Sequence, residues 1–98
     1  MPAPAAATPL ADRIRPTVPT RVRVVSRSGT YVTFAWRAST DNVGVTRYLV
    51  FRSGRSKPVA STTSPRVRIR TAYRAKYYVR AVDVAGNRSG VSVRVSGR

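Results

Sequence analysis

The 98-residue sequence contains neither cysteine nor histidine, and its only acidic residues are Asp12, Asp41 and Asp83. Without cysteine there is no disulfide, and without both residue types there is no usual zinc ligand set, so stability must come from packing. The absence of histidine removes the commonest general base, and no paired carboxylates replace it. We therefore predict no catalytic residues, no metal site and no cofactor.

Long apolar segments are also missing. No stretch approaches the roughly 20 apolar residues of a membrane-spanning helix. The first ten residues lack the basic start and the apolar core of a secretory signal. We therefore predict that the chain does not insert into a membrane. We predict instead that it associates with a virion or another assembly. A chain that is a fragment of a larger secreted protein would instead lie at the cell surface or outside the cell.

Positive charge is abundant. Nineteen lysines and arginines oppose three aspartates, which gives a formal net charge of +16. All of the basic residues except Lys57 and Lys76 are arginine, whose planar fork binds phosphate or carboxylate groups through two parallel hydrogen bonds. An excess of this size predicts a polyanionic partner.

The chain divides near Pro19. Proline and alanine dominate the preceding residues, and this composition favours an extended arm over residues 1–18. From Thr20 onward, short apolar-polar alternations are separated by turn signals, as in an all-β sandwich. We expect one folded domain over residues 19–98. The predicted strands are residues 21–25, 31–37, 46–52, 57–61, 66–70, 76–83 and 91–95.

Four segments in this order resemble a fibronectin type III domain of the bacterial and phage type: residues 32–36, 39–45, 48–52 and 79–89. The resemblance covers residues 19–95. It implies a seven-stranded antiparallel, immunoglobulin-like sandwich with sheets A-B-E and C-C'-F-G. Such domains commonly occur as accessory modules of secreted glycoside hydrolases and in phage virion proteins, so the resemblance also implies a non-catalytic role.

The sequence departs from the family at one corner. Family members usually carry a tyrosine six residues before the strand F alanine, and this chain has Ala75 six residues before Ala81. We expect the usual corner hydrogen bond to be missing, with Tyr73 or Tyr77 as the candidate substitutes. The corner between strands E and F should otherwise be looser than in the family.

Alternation assigns the side chains of each strand to two faces. Trp36 resembles the core tryptophan of strand B, which implies a structural role. The predicted core residues are Val22, Val24, Val32, Phe34, Trp36, Tyr48, Val50, Val67, Ile69, Tyr77, Val79, Ala81, Val91, Val93 and Val95.

The outer face of sheet A-B-E should be strongly basic. Neighbouring like charges repel, and the sequence offers no acidic residue beside them. We therefore predict a polyanion or partner-binding surface, against the alternative of a solvated face. Its predicted residues are Arg21, Arg23, Arg37, Arg66, Arg68 and Arg70.

The outer face of the other sheet combines apolar and arginine side chains, which is typical of protein interfaces. The alternative is partial cover by the arm or by the C' edge. The residues of this second predicted surface are Leu49, Phe51, Tyr78, Arg80, Val82 and Arg94.

The remaining acidic residues fall in loops. These loops hold Asp41 with Asn42 and Asp83 with Asn87. Their side chains supply too few oxygen ligands for calcium. We expect both carboxylates to accept loop N–H groups or to pair with arginine.

Three non-enzymatic functions remain. The preferred one is an accessory protein of a large assembly, such as a virion decoration or tail protein, that docks on an acidic protein surface through its arm and basic face. The second is binding of an anionic polysaccharide or cell-envelope polymer. The third, nucleic-acid binding, calls for aromatic residues among the arginines, and the A-B-E face offers only Tyr31.

Overall fold

The computed structural model describes residues 14–97, which form a sandwich of two antiparallel sheets. One sheet has the strand order β1-β2-β5, and the other has the order β4-β3-β6-β7. The described residues form no helix that is long and apolar enough to cross a membrane. The all-β prediction is confirmed. The strands are β1 (Thr20–Ser28), β2 (Tyr31–Arg37), β3 (Val45–Arg52), β4 (Pro58–Thr62), β5 (Arg66–Arg70), β6 (Lys76–Asp83) and β7 (Val95–Ser96).

The core lies between the sheets and is joined by aromatic pairs. Phe34 of β2 packs against Tyr77 of β6 with ring centroids 5.5 Å apart. Trp36 of β2 meets Tyr48 of β3 edge to face at 5.3 Å. All four rings are buried, as alternation along the strands predicts. Each pair links one sheet to the other, so the large side chains of β2 hold the two layers together.

The prediction for the last strand is wrong in both extent and facing. Regular pairing is confined to Val95–Ser96 instead of residues 91–95. Val91 and Val93, which were assigned to the core, are 43% and 68% exposed. Ser89 and Ser92 are buried in their place. The chain therefore presents every third residue, not every second, to strand β6.

Hydrogen bonds explain this change of period. The Ser89 hydroxyl accepts the Ala81 N–H at 2.9 Å, and the Ser92 hydroxyl accepts the Val79 N–H at 2.8 Å. The N–H groups of the same serines donate to the carbonyl groups of Ala81 and Val79. Buried N–H groups must find acceptors. Here serine hydroxyls take the place of backbone carbonyls along β6.

Tyr77 replaces the missing tyrosine at the corner after β5. Its hydroxyl accepts the Ala72 N–H at 3.1 Å, while Tyr73 is 70% exposed. The same ring packs on Phe34 in the core. The corner is therefore tied down by a residue of β6 itself, which was one of the two candidates.

We expect Gly97→Ala to destabilise this corner. A Cβ atom at Gly97 would lie 2.8 Å from Cγ2 of Thr71 and 3.2 Å from Cε1 of Tyr77. Thr71 is held by its hydroxyl, which donates to the Thr30 carbonyl at 3.2 Å. Overpacking of this kind costs about 1 to 3 kcal/mol, which urea unfolding would measure. Gly90→Ala is the control, since its Cβ would meet only the Val18 side chain at 3.3 Å. Equal midpoints for both variants would contradict the packing of Gly97.

The predicted arm falls mostly on residues 1–13, which lie outside the described residues, so it remains a prediction there. The following residues contact the sandwich. Pro16 is buried, and the Thr17 N–H donates to the Thr40 carbonyl at 2.9 Å. The Thr40 N–H in turn donates to the Thr17 hydroxyl at 2.9 Å. The last residues of the predicted arm therefore lie against the loop between β2 and β3.

Candidate functional site

Three of the predicted arginines form a row on the outer edge of the three-stranded sheet. Arg66, Arg68 and Arg70 of β5 pair with Ala35, Thr33 and Tyr31 of β2, and all three are exposed. Alternate residues of a strand lie about 7 Å apart, so the row carries regularly spaced charges. The guanidinium carbon of Arg68 lies 4.6 Å from the centre of the Tyr31 ring, a cation–π contact. An aromatic ring that is 43% exposed therefore lies among these charges.

The other three predicted arginines surround a cavity at the end of the same sheet where β1 begins and β2 ends. Arg21, Arg23 and Arg37 line a space of about 290 Å³ with Trp36. The pairing of β1 with β2 shifts register between Thr20 and Arg23, and Arg21 adopts a φ of 57°. One terminal nitrogen of Arg23 donates to the Arg21 carbonyl at 2.8 Å. The irregular start of β1 thus gathers three guanidinium groups beside each other.

The two described carboxylates accept N–H groups from the loops that follow β2 and β6. Asp41 accepts the N–H groups of Val43 and Gly44, each at 3.1 Å. Asp83 accepts the backbone N–H of Asn87 at 2.8 Å and its side-chain amide at 2.9 Å. Their predicted role as acceptors of loop N–H groups is confirmed. Residues 14–97 contain no group of three or more side chains suited to hold a metal ion.

The basic face therefore carries an electrostatic cost. Two charges about 7 Å apart repel by about 0.6 kcal/mol in water and by about 2 kcal/mol at an effective dielectric constant near 20. Each pair of neighbours in the row of Arg66, Arg68 and Arg70 is subject to this repulsion. An anion bound between them would relieve it. This is the chemistry that the face offers: binding of negative charge, with no group that cleaves a bond.

No protein-family model matches the chain. The chain is 41% identical over 90 residues to chitinase Chi52 of Paenibacillus xylanexedens, a match that covers 91% of this chain and 17% of that protein. Chitinase ChiA74 from Bacillus thuringiensis matches with a TM-score of 0.74 and 30% identity, over 87% of this chain and 14% of the other. A mutant of FN3tt matches with a TM-score of 0.66 and 17% identity, over 86% of this chain and 98% of the other. The chain thus spans a small part of both chitinases and almost all of FN3tt.

The domain has the fibronectin type III fold. The seven strands and the two antiparallel sheets agree with the architecture that the sequence motifs imply. It is a non-catalytic module. The region of each chitinase that it matches is a minor part of that protein.

The second predicted surface of this fibronectin type III domain differs from the expectation. Leu49, Phe51 and Val82 do lie together outside the main core, but they are only 5%, 3% and 5% exposed. Tyr78 packs against them, with its ring stacked on Phe51 at 5.2 Å. The predicted outward facing of these side chains is right, but they are covered and do not form an exposed patch. These residues form a small second core on the outer face of the four-stranded sheet.

Two arginine side chains lie beside this second core. The Nε–H of Arg80 donates to the Ser89 carbonyl at 2.8 Å. The guanidinium carbon of Arg94 lies 5.1 Å from the Tyr78 ring centre, and its Nε–H donates to the Ser53 hydroxyl at 3.2 Å. Arginine stems readily lie along apolar surface. A binding role for these residues stays a prediction, and it would have to use the guanidinium groups.

The sequence analysis missed a further basic cleft. A cavity of about 410 Å³ lies at the end of the sandwich where β3 ends and β6 begins. The only available signal was an arginine on each side of the Ser53-Gly54 turn. Its lining residues are Thr30, Arg52, Arg55, Val59, Arg70, Thr71, Ala72 and Tyr77.

Proposed function

We propose that this fibronectin type III domain is an accessory module that binds an anionic polysaccharide or cell-envelope polymer through the outer face of its β1-β2-β5 sheet. One observation carries the proposal. Six exposed arginines lie on the strands of this sheet, whereas Asp41, in the loop after β2, and Asp83, at the end of β6, lie on none of its strands. The six arginines of the face are Arg21, Arg23, Arg37, Arg66, Arg68 and Arg70, and all are exposed.

A polymer suits this face better than a single small anion. The β5 row repeats its charge about every 7 Å, and a chain with repeated anionic groups engages several arginines at once. Linked contacts raise the overall affinity because the later ones form within one complex. Tyr31 adds a partly exposed ring beside Arg68, which gives a sugar ring an apolar contact.

The comparisons support a setting outside the cell. Chi52 and ChiA74 are chitinases, and the chain is similar to a small part of each. A polysaccharide too large to enter a cell has to be met outside it, so a module of such an enzyme would work there. Neither of these relatives is a virion protein. Polymer binding therefore replaces docking on an acidic assembly as our preferred function. Nucleic-acid binding remains disfavoured because the outer face of the β1-β2-β5 sheet offers Tyr31 as its one aromatic ring among residues 14–97.

Charge reversal on the face tests the proposal. Arg23, Arg66 and Arg68 changed together to glutamate should weaken binding to an immobilised poly(glycerol phosphate) by about tenfold or more, because attraction becomes repulsion. Added salt should weaken wild-type binding as well. Binding would be followed by surface plasmon resonance, and circular dichroism would show that the fold survives.

A second triple variant controls for net charge. Arg15, Arg47 and Arg88 are exposed and lie outside the six-arginine face, so their change to glutamate alters the total charge equally. This variant should keep most of its affinity. Equal losses of affinity in both variants would show that only the net charge matters. Unchanged binding by the variant at Arg23, Arg66 and Arg68 would show that the face is solvated and binds no polymer. Displacement of the polymer by a single-stranded oligonucleotide of lower total charge would favour nucleic acid instead.

A further inference from the structure

The missed basic cleft draws cations from both sheets. Arg70 ends β5 of one sheet, whereas Arg52 ends β3 of the other and Arg55 follows it. An adjoining cavity of about 460 Å³ shares Arg55 and Val59 with it and adds Lys57. Among residues 14–97, those that line the two spaces include no acidic side chain. The cleft is thus a distinct site, which shares only Arg70 with the six-arginine face.

A tight turn holds two of these arginines close together. The Arg55 N–H donates to the Arg52 carbonyl at 3.0 Å, and Gly54 has a φ of 92°. Residues at the ends of such a turn have Cα atoms within about 7 Å. The Ser53 N–H donates to the Lys76 carbonyl at 2.8 Å, which fixes the turn to the start of β6. The two guanidinium groups therefore start from a rigid base.

The opposite wall is equally well fixed. Thr71 donates both its N–H, at 2.8 Å, and its hydroxyl, at 3.2 Å, to the Thr30 carbonyl. These bonds hold the end of β5, and hence Arg70, against the turn between β1 and β2. Tyr77 closes the floor of the cleft through its hydrogen bond with the Ala72 N–H. Rigid walls lower the ordering cost of binding.

We propose that this cleft binds a compact oxyanion, the phosphate group of an ester. Arg52, Arg55 and Arg70 line one space, and a carboxylate would neutralise only one of their charges. A phosphate monoester carries a charge near −2 and three acceptor oxygens, which suits several arginine donors at once. Val59, which is 45% exposed, and Ala72 supply apolar contacts for the carbon atoms next to the ester.

Titrations with glycerol 3-phosphate, inorganic sulfate and acetate test the cleft. Amide shifts in the nuclear magnetic resonance spectrum should concentrate at Gly54, Arg55 and Ala72 for the first two ligands. The double change R52Q/R55Q should weaken their binding by about tenfold or more, since charged hydrogen bonds are lost. The control R47Q/R88Q removes the same net charge at the other end of β3 and in the loop after β6, and it should change affinity less than about twofold.

The outcomes separate the alternatives. Tighter binding of glycerol 3-phosphate than of sulfate identifies a phosphate ester as the ligand, and tighter binding of sulfate would overturn the proposal. Acetate binding as tight as either, shifts spread over all arginines, equal losses in the two double variants, or no saturable binding would each overturn the proposal. None of the substituted residues belongs to the six-arginine face. A negative result for the cleft would therefore not contradict polymer binding by the six-arginine face. A negative result for polymer binding would likewise not contradict oxyanion binding in the cleft.

Discussion

Replacement of Trp36 by alanine should lower the free energy of unfolding by about 3 to 5 kcal/mol. Domains of this size have about 5 to 15 kcal/mol in total, so the variant should be close to unfolding at room temperature. The side chain is 3% exposed and packs edge-on against Tyr48 across the sheets. The Tyr48 hydroxyl also accepts the Ser39 N–H at 3.0 Å. Loss of the indole therefore loosens both the core and the loop after β2.

Trp36→Phe is the matched control. The buried indole Nε1–H of Trp36 has no hydrogen-bond acceptor among the described residues, so phenylalanine loses ring area but no hydrogen bond to them. The expected loss is smaller than that of Trp36→Ala, because fewer buried atoms are removed. Urea unfolding followed by circular dichroism would rank the three proteins. A Trp36→Ala midpoint equal to that of the wild type would show that Trp36 does not face the core.

The sequence predicted which side chains of the regular strands point into the core, because no other residue pattern on those strands competes with the apolar-polar alternation. Val32, Phe34 and Trp36 on β2 point into the core, as their spacing indicates. The same rule placed the β5 arginines outside. It could not reveal the cavity around Arg21, because that cavity depends on a register shift that no residue pattern marks.

The sequence could not predict which outer-face side chains are covered, or which residues of the two sheets meet at one end of the sandwich. Alternation correctly put Leu49 and Phe51 on the outer side of β3, yet it does not say that both side chains will be buried there. The cleft of Arg52, Arg55 and Arg70 was invisible for a related reason. Its cations belong to two sheets, and only the sandwich brings them to one end.

The last strand shows how one local pattern can hide another. Valines at every second position from 91 to 95 predict a core-facing strand, whereas serines at 89 and 92 fit a period of three. The second pattern prevails because the hydroxyls of Ser89 and Ser92 satisfy buried N–H groups of β6. An alanine at either position would fill similar space without an acceptor. Hydrogen bonding therefore decides this segment over hydrophobic alternation.

Ser89→Ala and Ser92→Ala together should therefore cost about 2 to 6 kcal/mol, since each leaves a buried backbone N–H without its acceptor at about 1 to 3 kcal/mol. The hydroxyls donate to the carbonyls of Gly90 and Val93 at 2.8 and 3.0 Å, so each serine also fixes its own segment of chain. The opposing variant, with Val91 and Val93 changed to alanine, should cost about 0.5 kcal/mol or less at each exposed site. Urea unfolding of the two variants distinguishes the two periods directly. If the valine changes lowered the free energy of unfolding more than the serine changes, the valines would face the core of a regular strand and the proposed role of the hydroxyls would be wrong.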